Sequence, residues 1–243
     1  RRQRQMCIRD SGMETCVTLG MLTDTQTTRL REAGLDYYNH NIDTSPEHYE
    51  NIVSTHSFQD RLNTIRNVQD AGMSVCCGGI LGLGETIDDR LRMLEILSGF
   101  NPAPESIPIN KLMPMPGTPL EGSEPVDTFD VARTIACARI AVPGAKVRLS
   151  AGRTELSAEA QALCFFACAN SIFYGDKLLT APNAGGGTGG NGGLLTLSQV
   201  GGTGTGGVLV NVVVSGSDGG DGGDALSLIH IRRCRRIERC RSR

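Results

Sequence analysis

Between residues 12 and 183, short β-rich runs alternate with amphipathic stretches, the pattern of a parallel sheet flanked by helices. The period-2 runs predict strands at 13–19, 35–42, 74–81, 106–112, 146–150 and 170–174. The 3.6-period stretches predict helices at 24–33, 58–71, 87–98, 126–142 and 157–167. Asp24 and Ser157 are placed to cap helix N-termini, and Gly34 and Gly72 fall just past helix ends, where a left-handed residue is needed. Six strand–helix units exceed half of a Rossmann fold. They fit most of a (βα)8 barrel, so the expected fold class is α/β, an incomplete TIM-type barrel of about six βα units lacking its first two.

Strands of a parallel barrel are buried on both faces and should be almost wholly apolar. Several here are not. In Tyr37-Tyr38-Asn39-His40-Asn41-Ile42-Asp43, alternation puts Asn39, Asn41 and Asp43 on one face. Asn110 lies opposite Ile107 and Ile109, Arg148 opposite Val147 and Leu149, and Cys76 shares the face of Ser74. Cys16, Cys76 and Arg148 then lie on the first, third and fifth visible strands, with Asn41 and Asn110 on the second and fourth. The bland explanation is a set of buried polar groups satisfying one another. Spread over five strands with two thiols it is a costly arrangement, at about 1–3 kcal/mol for each group left unpaired. A polar, cysteine-lined lumen that holds a ligand explains it better.

Composition changes the picture at the ends. Residues 1–11 hold four arginines and residues 225–243 hold seven, while residues 184–224 hold 17 of the 31 glycines. The glycine-rich stretch is too poor in apolar side chains to offset its ordering entropy, so disorder or a weak strand around 208–214 is expected. The two arginine-rich ends resemble translated sequencing-adaptor DNA and are expected to be non-native flanks, leaving 12–183 as the partial barrel. That core has 13 basic and 21 acidic residues, which gives no case for nucleic-acid binding. No apolar run approaches the roughly 20 residues that span a bilayer, and no signal peptide is visible, so a cytoplasmic location is expected. Nine cysteines, an odd number, argue against a secreted disulfide framework.

The segments YYNHNIDT (37–44), CCGGILGLGET (76–86), PESIPINKL (104–112), PGTPLEG (116–122), VRLSAGR (147–153) and ANSIFYGDKLLT (169–180) together resemble the biotin synthase family. The resemblance covers essentially all of residues 12–183, and YNHN and RLSAGR are its most discriminating parts. It implies a radical-SAM barrel that converts dethiobiotin to biotin. A 4Fe-4S cluster cleaves S-adenosylmethionine to a radical that takes hydrogen from dethiobiotin, and a 2Fe-2S cluster deep in the barrel supplies the sulfur. It further implies a flavodoxin- or ferredoxin-type electron donor and a homodimer in the intact protein.

By the same resemblance, Cys16, Cys76 and Arg148 are ligands of the 2Fe-2S cluster, whose third cysteine would lie upstream of Gly12. Asn41 and Asn110 match positions that hydrogen-bond the ureido ring, a task suited to an amide with both donor and acceptor. Asp43 matches a contact to the cofactor ribose, and Arg61 one near its methionyl carboxylate, although a solvated helix residue is an equal reading of Arg61. In the G-x-I-x-G-x-x-E stretch from Gly78, Ile80 and Leu83 face the S-adenosylmethionine. The run lacks the ending of a phosphate loop.

One departure matters. The radical-SAM signature C-x3-C-x2-C is missing; Cys164-x3-Cys168 opens like it, but position 171 is Ser, and both read as core cysteines on a helix, with Cys77 and Cys137 as packing. No 4Fe-4S ligands are assigned in this chain, and alone it is expected to be inactive. The alternatives are another radical-SAM barrel, such as a hydrogenase-maturase-like enzyme, or a non-catalytic barrel fragment.

Overall fold

The structure, a computed structural model, describes residues 13–175 and strands at 177–178, 181–182, 209–213 and 228–232. Five strands of the core are β1 (Met13–Val17), β2 (Tyr37–Asn39), β5 (Ser106–Lys111), β6 (Lys146–Leu149) and β7 (Ser171–Gly175). The sixth expected strand, 74–81, is broken into β3 (Ser74–Cys76) and β4 (Gly79–Leu81). Pairing runs parallel from β1 to β2 to β3, from both β3 and β4 to β5, then to β6 and β7. The result is a curled parallel sheet of six strand positions, five of them followed by helices among the described residues, part of a (βα)8 barrel.

Two further strands flank it. β10 (Leu209–Val213) lies parallel to β7, and β11 (Leu228–Arg232) lies antiparallel to both β10 and β1. With the β3–β5 contact the pairings form a closed circuit. The outer edges of β1 and β7 are thus paired. A small antiparallel pair, β8 (Lys177–Leu178) and β9 (Ala181–Pro182), stands apart. Apart from strands β10 and β11, the expected disorder of 184–224 and the expected flanks 1–11 and 225–243 fall outside the described residues.

The helices are α1 (Asp24–Glu32), α2 (Pro46–Ile52), α3 (Phe58–Asp70), α4 (Ile87–Ser98), α5 (Thr128–Ala141) and α6 (Ala158–Phe166). Their starts are set locally. Thr23, Ser57 and Thr86 each form a reciprocal cap with the residue three further on, respectively Gln26, Asp60 and Asp89. The cap of α1 is therefore Thr23 rather than Asp24, whose carboxylate instead sits in the first turn, where the helix dipole favours negative charge. Ser157 caps α6 as expected. Helix α2 was not foreseen; its seven residues are too short to show a period, although Ser45-Pro46 is a start signal.

The break between β3 and β4 falls at two glycines held to that residue type by close neighbours. A Cβ on Gly78 would lie 1.9 Å from the Pro108 carbonyl oxygen, and one on Gly79 would lie 2.0 Å from Met93 Sδ and 2.6 Å from the Asp43 carbonyl oxygen. The chain passes so close to β5 and α4 that only glycine fits.

Two apolar clusters divide the interior. The larger, between sheet and helices, takes Val17, Tyr38, Val75, Cys77, Ile107, Ile109, Val147 and Leu149. The smaller, on the other face, takes Cys16, Tyr37 and Phe173. Cys164 is fully buried on α6, but Cys168 is exposed beyond the helix end at φ +75°, so it is not a core cysteine.

Candidate functional site

Pairing register carries the lumen residues from strand to strand, because partners in a sheet point to the same face. Cys16 pairs with Tyr37, Asn39 with Cys76, Cys76 with Ser106, Pro108 with Arg148, and Arg148 with Ser171. One row further toward the strand ends, Ile80 pairs with Asn110.

Arg148 is completely buried, and its guanidinium carbon sits 4.4 Å from the centre of the Phe173 ring. Its Nε donates to Ser171 Oγ at 3.0 Å, and a terminal nitrogen reaches Cys76 Sγ at 3.8 Å. Cys16 and Cys76 are buried free thiols. Burial, and after it the neighbouring Cys76, pushes the Cys16 thiol well up, while Arg148 pulls the other way. Two thiols and one guanidinium therefore surround one dry spot. Among the described residues no three His, Cys, Asp or Glu side chains gather as metal ligands. Thiolates are ordinary iron ligands, so the pair fits part of an iron–sulfur donor set, whereas an arginine enters such a set only as an unusual member. Cys77 points the other way, into the apolar layer, and burial pushes its thiol far up.

A second group lies at the C-terminal ends of β2 and β4. Arg61, on α3, donates from Nε to Tyr49 Oη at 2.6 Å and from one terminal nitrogen to the Asn41 carbonyl at 2.9 Å, and it pairs with the Asp43 carboxylate at 2.8 Å. It is no solvated helix residue. Asp43 stands at φ +67°. Burial raises its carboxyl, and Arg61 and then His56 oppose that rise. Asn41 Oδ1 accepts from Gly78 N–H at 3.1 Å. Asn110 donates to the Gly79 carbonyl at 2.9 Å and accepts from Ala151 N–H at 3.2 Å. Both amides already hold backbone, which fixes their orientation and leaves each one lone pair and at least one N–H for a ligand. Ile80 N–H donates to the Asp43 carbonyl, and Leu83 N–H to Glu85 Oε2.

Two residues of this region escaped the sequence reading. Glu85 is 1% exposed; its carboxylate accepts from Gly82 N–H and Leu83 N–H and pairs with Arg90, which also binds Asp130. The signal was present as the acid closing the glycine run, but its partners are tertiary. His40 is buried with Nε2 unpartnered, and burial, then Arg61 and His56, lower it to about 4. The unfolded chain takes up this proton near 6.5 and the folded chain only near 4, so His40 costs stability as pH falls through that window and costs nothing above it. A His40→Gln variant should lose less stability than the parent between pH 7 and 4, by about 2–3 kcal/mol, in urea titrations. Parallel pH profiles would refute the assignment.

Known proteins resemble this chain in sequence and in fold. The family model "Radical SAM superfamily" matches residues 3–97, beginning inside the arginine-rich start, and "Biotin and Thiamin Synthesis associated domain" matches 108–186. A biotin synthase of Gluconacetobacter diazotrophicus is 61% identical over 72% of this chain and 56% of its own length. One of Granulibacter bethesdensis is 63% identical over 71% of this chain and 55% of its own. The chain thus spans about half the length of the curated relatives it matches. Among solved structures, a methylornithine synthase superposes with a TM-score of 0.60 at 22% identity, covering 69% of this chain and 49% of that one, which shows a shared fold.

Proposed function

The chain belongs to the biotin synthase family of radical SAM proteins, and from that premise we propose that the whole protein inserts sulfur into dethiobiotin to give biotin. The observation that carries this reading is Arg148, wholly buried with a terminal nitrogen 3.8 Å from the Cys76 thiol and on the lumen face with Cys16. A barrel built only to be stable gains little from burying an arginine against two thiols, because desolvating the cation is expensive.

Cys16, Cys76 and Arg148 are the residues that would hold a 2Fe-2S cluster, and Asn41 and Asn110 those that would hold the ureido head. Asp43 and Arg61, with Ile80 and Leu83, would receive S-adenosylmethionine. When bound, S-adenosylmethionine on its 4Fe-4S cluster supplies the hydrogen-abstracting radical, and the 2Fe-2S cluster supplies the sulfur. The chain's own part is to bind, orient and keep water out. Three of the five guanidinium N–H groups of Arg61 are taken by Tyr49, Asn41 and Asp43, and two remain for a carboxylate. A flavodoxin- or ferredoxin-type electron donor, a homodimer and a cytoplasmic setting complete the proposal; among the described residues no helix is long and apolar enough to cross a membrane.

The test is a chimera that places the part of the Gluconacetobacter relative preceding its matched segment ahead of Gly12. After anaerobic loading with iron and sulfide, it should form biotin from dethiobiotin and S-adenosylmethionine. A fully loaded chimera that forms none refutes the proposal. The 243-residue chain itself, treated identically, should release no 5′-deoxyadenosine, because C-x3-C-x2-C does not occur in it; release of the nucleoside would refute that expectation.

A further inference from the structure

Ser150 continues β6 past its last assigned residue, since its N–H donates to the Ile109 carbonyl just as the ladder requires. Leu149 pairs with Ile109, so Ser150 stands opposite Asn110, one row above Arg148 and in the row of Ile80. Alternation places it on the lumen face with Arg148, opposite to Val147 and Leu149, which enter the outer apolar cluster. Ser150 is 1% exposed, and its hydroxyl has no hydrogen-bond partner. Its neighbour Ala151 spends its N–H on Asn110 Oδ1. A hydroxyl that is shut away from water, unpaired, and next to an amide whose two ends are held by backbone is poorly explained by folding, because such a group costs free energy that alanine would avoid.

We propose that Ser150 is a further substrate-binding residue, whose hydroxyl hydrogen-bonds the cyclic-urea head of the lumen ligand beside Asn110. The proposal rests on the dethiobiotin reading above and adds to it a contact at a stated place: the second polar group of that row after Asn110, between the arginine and the mouth of the barrel. It also requires an unusual pairing of effects. Because no protein group pairs with the hydroxyl, removing it relieves a burden on folding, yet the same removal weakens ligand binding.

The experiment measures dethiobiotin binding to the full chain and to Ser150→Ala by calorimetry, with thermal melts of both ligand-free proteins. The expected result is affinity about tenfold weaker in the variant, together with a melting temperature equal to or above that of the parent. If the parent binds dethiobiotin and the variant binds it equally well, the Ser150 proposal fails and the dethiobiotin reading stands. A lower melting temperature or failure to fold in the variant assigns the hydroxyl a structural role and also overturns the proposal. If the parent does not bind dethiobiotin, the substrate reading fails and the proposal falls with it.

Discussion

A chimera carrying Cys76→Ser should lose the 2Fe-2S absorption and make no biotin, whereas the Cys77→Ser chimera should keep both. The two thiols are adjacent in sequence and equally buried, so burial does not distinguish them. Direction does. Cys76 shares its face with Asn39 and Ser106 and lies 3.8 Å from the Arg148 guanidinium, while Cys77 packs with Tyr38, Val75 and Ile107 in the layer beneath the helices. Serine at 76 replaces a soft sulfur ligand with a harder and far weaker one. Serine at 77 puts a hydroxyl among apolar side chains, at a cost of about 1–3 kcal/mol in stability and none in cluster binding. Optical spectra of the reconstituted proteins and the biotin yield decide it. The opposite pattern would mean that the register of β3 is shifted by one residue, and the lumen assignments of Cys76 and Asn39 would be lost together.

Gly78→Ala should be the most damaging glycine-to-alanine change among the described residues. The added carbon would lie 1.9 Å from a backbone carbonyl oxygen and 2.8 Å from its carbon, so no rotamer change relieves it. The strand must move away from β5, which pulls on the amide of Gly78 and its bond to Asn41. Overpacking of this kind should cost at least about 3 kcal/mol. Gly122→Ala, where nothing stands within 4 Å, is the matched control and should change stability by less than about 0.5 kcal/mol. Urea midpoints of the two variants against the parent check this; equal midpoints would refute the close approach.

The parallel strand–helix order and the polar lumen were readable from alternation because each strand carries both answers at once: apolar residues toward the helices and polar ones toward the lumen. Period-2 geometry needs no tertiary information, which is why Cys76 and Cys77 could be told apart from the letters alone. What depends on distant partners was not readable. The sequence left Arg61 equally open to a cofactor contact and to a solvated helix face, because Tyr49, Asn41 and Asp43 come to it only when α3 packs over the end of β2. The glycine run looked like a loop for a ligand, but Gly78 and Gly79 answer first to the backbone of β5, the Asp43 carbonyl and the side chain of Met93. Asp24 was read as the cap because its residue type caps well; the reciprocal bond between Thr23 and Gln26, which assigns the cap to Thr23, shows only in the structure. The role of Arg148 could be expected only by likeness to a family, since no general rule makes a guanidinium a ligand.

The side-chain caps have a consequence for how the protein is made. Thr23, Ser45, Ser57, Thr86, Asp127 and Ser157 each satisfy the first turn of their helix with groups no more than three residues away. Every sheet pairing between βα units, by contrast, joins segments some twenty or more residues apart. A chain emerging from the ribosome therefore has correctly phased helix starts in hand before it has a sheet to lay them on. The slow event is the winding of the strands into register, and a strand that pairs one residue early presents its thiols to the wrong side of the wall.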